Sequence, residues 1–86
     1  MQILHKSQYA IFALVIILLV MKMYKRIRDL REDHDYSQTE LARILNVSQS
    51  TYSRYESGFL DVPSEILIAL SKLYSVSVDY ILGLQD

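Results

Sequence analysis

The sequence predicts an all-α fold, with five helices over residues 23–86 behind an apolar segment at residues 1–22. Three observations lead there. Two glycines and one proline in 86 residues are too few turn formers for a strand-rich chain. From position 24 onward the pattern turns amphipathic at helical spacing. Each apolar run is also bracketed by residues that start and stop helices.

Taken in order, Ile27, Leu30 and Arg31 share one face of a first helix running to about His34. Ser37, Gln38, Thr39 and Glu40 spell a capping box, in which the Ser37 hydroxyl accepts from the Glu40 amide and the Glu40 carboxylate from the Ser37 amide. Leu41, Ala42 and Leu45 give the second helix its apolar stripe. Asn46, which tolerates the left-handed conformation, ends it. Ser48 caps a third helix that runs to about Ser57 and stops at Gly58. Pro63 and Ser64 open a fourth, with Ile66, Leu67, Leu70 and Tyr74 inward. Ser77 caps a short fifth through Leu82, closed by Gly83.

The leading segment is unlike the rest. Residues 9–21 read YAIFALVIILLVM, thirteen positions without a charge. A hydrocarbon core takes about 20 such residues, with a range of about 17–25. Reaching seventeen means including Lys22. No small-residue cleavage site follows, which argues against a signal peptide. Four readings stay open: a short membrane anchor with Lys22, Lys25, Arg26 and Arg28 on the cytoplasmic side; an apolar helix buried against a second copy; a β-rich segment, given Val15, Ile16, Ile17 and Val20; or an extension the working protein does without, since Met21 and Met23 are both plausible translation starts.

A chain of this length has room for one small domain. With no cysteine, neither disulfides nor a thiolate metal site is available. His5 and His34 are remote in sequence and have no ligand cluster around them, so no metal and no cofactor is called for. The net charge of −1 hides a split: residues 22–54 carry seven Lys/Arg against five Asp/Glu, and residues 55–86 one against five. The local field counts for more to a polyanion than the total does. Asp29, Glu32, Asp33 and Asp35, mixed with Arg28 and Arg31, read as a solvated helix face. No nucleophile or glycine-rich phosphate loop accompanies them, so the sequence does not read as an enzyme.

Two short helices joined by Asn46, Val47 and Ser48 have the geometry of a helix-turn-helix, whose second helix meets DNA base edges with its N-terminal residues. Here those are Ser48, Gln49, Ser50 and Thr51. The Gln49 amide can donate and accept in the pattern that suits adenine, and Arg54 can reach guanine or a phosphate.

At this point the residues resemble a known family. Gln38-Thr39-Glu40-Leu41-Ala42, Val47-Ser48-Gln49-Ser50-Thr51 and Ser53-Arg54-Tyr55-Glu56-Ser57-Gly58 closely resemble the lambda-repressor-like, Cro-type (XRE) helix-turn-helix regulators, and Pro63-Ser64 with Val76-Ser77-Val78-Asp79-Tyr80-Ile81-Leu82-Gly83 resembles their closing segment. The likeness runs from about Met23 to Gly83 and leaves residues 1–22 without a counterpart. It implies a five-helix domain that binds double-stranded operator DNA as a homodimer and reads bases through helix three. It also implies roles: Gln38 on a phosphate, Gln49, Ser50 and Arg54 on bases, Ser48 and Ser57 near the backbone, and Arg31 paired with Glu56 in a structural salt bridge. Thr51 and Ser53 complete the expected DNA-binding set. Two positions depart from the family pattern: Tyr52 stands where a smaller aliphatic is usual, and Ser75 where glycine usually ends helix four. The phenol then needs a hydrogen-bond partner, and Ser75 is expected to bear some strain.

The expectation is a sequence-specific transcriptional regulator, a repressor acting as a homodimer in the cytoplasm. Membrane contact, through an inner-membrane tether, is open only to residues 9–21. Rival readings are an antitoxin-like protein-interaction module and a membrane-tethered regulator.

Overall fold

The computed structural model describes the backbone of residues 2–85 and the side chains of residues 8–18 and 25–85. Five helices form, in the order α1 (Gln2–Asp33), α2 (Gln38–Leu45), α3 (Gln49–Ser57), α4 (Ser64–Tyr74) and α5 (Val78–Ile81).

Local chemistry sets most of the boundaries. Before α2, Ser37 Oγ accepts from the Glu40 amide at 3.0 Å and Glu40 Oε1 accepts from the Ser37 amide at 3.0 Å, which completes the capping box. Asn46 closes α2 in the left-handed conformation (φ 58°, ψ 44°), and the Val47 amide reaches back to the Ala42 carbonyl at 2.9 Å. Ser48 and Ser77 cap α3 and α5 through their hydroxyls, and Gly58 ends α3 at φ 78°. Ser75 adopts the left-handed conformation at the end of α4 (φ 55°, ψ 44°). A further left-handed residue, Asp35 (φ 59°), follows α1.

Helix α1 packs on α3 and α5, α2 on α3, and α4 on α5. Between them lie Ile27, Leu41, Tyr52, Leu70 and Ile81, each under 2% exposed. Tyr52 and Tyr55 are both buried, while the Tyr52 and Tyr74 hydroxyls have no hydrogen-bond partner among the described residues. Burial pushes the Tyr74 phenol up to about 12. His34 lies against Tyr74, ring centres 4.7 Å apart, with Nδ1 2.8 Å from the Leu30 carbonyl. Arg26 ties α1 to the end of the chain. Its guanidinium sits 4.3 Å above the Tyr80 ring and donates to the carbonyls of Tyr80 and Gln85.

Residues 9–21 are helical, which corrects the β-rich reading. The preference of β-branched residues for strands is a context-dependent prior, and here the helix that buries Ile27 and Leu30 extends straight through them. Helix α1 shows no break at position 22. What changes is burial: side chains 8–18 are exposed, and Ile27 is the first buried one described. Among the described residues, no helix is long and apolar enough to cross a membrane. His5, Lys22, Met21 and Met23 lie outside the described side chains.

Candidate nucleic-acid interface

Helices α2 and α3 meet across Asn46, Val47 and Ser48, and the head of α3 faces solvent, with Ser48, Gln49 and Ser50 exposed and Thr51 half-buried. The Ser48 hydroxyl accepts from the Thr51 amide at 3.1 Å, donates to Thr51 Oγ1 at 2.8 Å and lies 3.2 Å from Ser50 Oγ. These hydroxyls form one cluster at the start of the helix.

Gln49 is exposed but not loose. Its Nε2 donates to Gln38 Oε1 at 3.3 Å, and Gln38 Nε2 donates to Glu56 Oε1 at 3.2 Å. Glu56 is anchored in turn: Arg31 Nε donates to Glu56 Oε2 at 2.6 Å, Arg31 Nη2 to Glu56 Oε1 at 3.2 Å, and Arg31 Nη1 to the Tyr36 carbonyl at 3.0 Å. The Arg31 and Glu56 side chains are 13% and 5% exposed, so the two-pronged pair is largely out of water. Burial pushes the Glu56 carboxyl up, but the Arg31 guanidinium, the neighbouring Tyr52 phenol and the Gln38 amide outweigh it and hold the group below the usual glutamate value. The Tyr52 phenol is raised by burial first and by this carboxylate second. It faces Glu56 without completing a hydrogen bond.

The remaining selected residues border the same face. Arg54 is exposed and leans over the Phe59 ring at 5.7 Å. Ser57 donates to the Arg54 carbonyl at 3.2 Å and accepts from the Phe59 amide at 3.4 Å. Ser53 is half-buried and lines a groove with Gln38, Glu56, Ser57, Arg31 and Arg28. Arg28 was not selected from the sequence, where it read as part of a solvated charged face. Its position one turn ahead of Arg31 on α1 is the signal that places it here.

The sequence and the fold are shared with known proteins. A family model described as helix-turn-helix matches residues 27–81. The uncharacterized HTH-type transcriptional regulator YobD of Bacillus subtilis (strain 168) is 42% identical over 62 residues, covering 72% of this chain and 55% of YobD. The HTH-type transcriptional regulator ImmR of the same organism is 40% identical over 63 residues, 73% of this chain and 50% of ImmR. Antitoxin PezA of Streptococcus pneumoniae is 39% identical over 59 residues, 69% of this chain and 37% of PezA. The chain thus spans about half the length of the first two relatives, or less in PezA. Among solved structures, the P22 c2 repressor in complex with a synthetic operator superposes with a TM-score of 0.66 at 33% identity, covering 73% of this chain and 96% of that one. With helix order, turn geometry and sequence match all coinciding over residues 27–81, the chain belongs to the helix-turn-helix family of transcriptional regulators, in its lambda-repressor-like, Cro-type (XRE) branch.

Proposed function

We propose that the protein is a sequence-specific DNA-binding regulator, a repressor in the cytoplasm that occupies a two-fold operator as a homodimer. Helix α3 enters the major groove, with Gln49, Ser50 and Arg54 toward bases and Gln38, Ser48 and Ser57 toward the backbone, while Thr51 and Ser53 complete the DNA-binding set. The observation that carries this reading is the exposed Gln49 amide, braced at the head of α3 by Gln38 and through it by the buried Arg31–Glu56 pair. A side chain already held at its working position loses less freedom on binding a base edge. The likeness to a repressor solved on its operator supports the same reading.

Selection of bound duplexes from a random DNA pool by the full chain tests it. Enrichment of a two-fold symmetric sequence is the expected result. Recovery of no shared sequence, from a pool that the protein does bind, sinks base reading by α3.

The match to antitoxin PezA favours one second reading, a module whose main partner is a protein. A salt titration separates the two. Duplex binding that relies on phosphate contacts weakens linearly in log–log form as salt rises, and a protein-interaction module shows no such duplex binding.

A further inference from the structure

The groove beside α3 holds two guanidinium groups with opposite fates. Arg31 is 13% exposed, and its charge is spent on Glu56, itself 5% exposed. Arg28, one turn earlier on α1, is 65% exposed and among the described residues pairs with the surface carboxylate of Glu32, Nε 2.8 Å from Oε1, an oxygen that also lies 3.9 Å from Arg31 Nη2. Glu32 is 50% exposed. The other walls are the Gln38 amide and the Ser53 and Ser57 hydroxyls, all neutral hydrogen-bonding groups. An anion lying in this groove therefore meets the exposed Arg28 guanidinium beside neutral hydrogen-bonding groups, while the Glu56 carboxylate that also lines it is already paired with Arg31.

We propose that Arg28 is a phosphodiester contact of the DNA face, kept in reserve by Glu32 and released when the duplex backbone enters the groove. The assignment rests on the DNA-binding reading above and extends its footprint from α2 and α3 onto α1. A solvent-exposed pair four residues apart on one helix gives up little when it opens. A guanidinium can then take a phosphate with two parallel N–H donors. The contact carries no sequence information, so it adds affinity and register rather than choice of bases.

The test is fluorescence anisotropy with the full chain, a selected operator duplex and a random duplex, each across a salt series. Arg28→Gln is expected to weaken both duplexes by a similar factor and to lower the slope of log affinity against log salt by about one. Arg28→Lys is expected to restore the slope. Glu32→Gln, which frees Arg28, is expected to tighten both duplexes. An Arg28→Gln slope equal to wild type overturns the proposal while leaving DNA binding by α3 intact. Salt-independent or absent duplex binding by the wild-type chain overturns both. Because Arg28 and Glu32 are exposed, thermal unfolding of the variants followed by circular dichroism is expected to match wild type.

Discussion

Gln38 links Gln49 to Glu56, accepting from the one at 3.3 Å and donating to the other at 3.2 Å, so the exposed tip of α3 is tied to a carboxylate that is 5% exposed beneath it. Under the proposed DNA-binding role, base reading by Gln49 and backbone anchoring by Gln38 would therefore not be independent. Gln49→Ala is expected to cost about 1–3 kcal/mol on the preferred operator and to relax preference at one symmetric pair of positions. Gln38→Ala is expected to weaken operator and random duplexes and also to erode part of the preference that Gln49 confers. In a double-mutant cycle on operator DNA the two should be non-additive by at least about 0.5 kcal/mol. Strict additivity would mean that the amide chain plays no part in the complex.

The Arg31–Glu56 pair predicts a stability cost larger than a surface ion pair would give. Arg31→Met leaves a carboxylate that is 5% exposed facing only an amide and a phenol. We expect a loss of about 2–4 kcal/mol in urea unfolding, between the surface and fully buried limits. The pH dependence follows from the same group. Glu56 is held below its ordinary value of 4.5, so its contribution is present above that pH and fades as pH falls through the depressed folded value. Glu56→Gln should be less stable than wild type at neutral pH, and the gap should narrow on acidification below about pH 4.5. A gap that stays constant down to pH 2 would remove Glu56 from the acid limb.

Ser75 ends α4 at φ 55°, where a Cβ is disfavoured. Ser75→Gly should relieve that strain and, net of the extra freedom of glycine in the unfolded chain, stabilise by about 0.5–1 kcal/mol. Its thermal midpoint should rise. A fall would show that the serine makes a compensating contact.

Removing residues 1–22 should leave a folded domain, because side chains 8–18 are exposed and the described core starts at Ile27. The expected change in thermal midpoint is under about 4 °C, equivalent to less than 1 kcal/mol for a domain of this size. Operator affinity should also be retained. Loss of affinity with folding intact would assign the segment to dimerisation, and aggregation or loss of helical signal would move the domain boundary toward the N-terminus.

What could be read from sequence was what short-range chemistry decides. The capping box at Ser37 and Glu40, the left-handed turn at Asn46, the stop at Gly58 and the cap at Ser77 each depend on residues within four positions. Their order alone was enough to suggest the fold. Long-range geometry was harder. Gln38 read as a lone phosphate contact, because nothing local shows that its amide lies between residues eleven and eighteen positions away. His34 read as a histidine without a ligand cluster around it, yet its ring lies tilted against that of Tyr74, forty positions on. A helix over residues 9–21 was one of several open readings, because β-branched residues argue locally for strand while the same apolar run also suits a helix. Its continuity with the helix of Ile27 and Leu30 is not a local property.

The head of α3 carries hydroxyls and an amide but no charge, with Arg54 waiting in its last turn. Under the proposed role such a surface would by itself have little hold on arbitrary sequence, where attraction comes almost wholly from cations displacing counterions. Sequence-blind affinity would rest on the few cations at its edges, Arg28 and Arg54. Visits to random chromosomal sites would be brief, and the vast excess of those sites would titrate away few molecules. Dwell time would then concentrate at matched sites, and a modest number of copies per cell would suffice to keep an operator occupied.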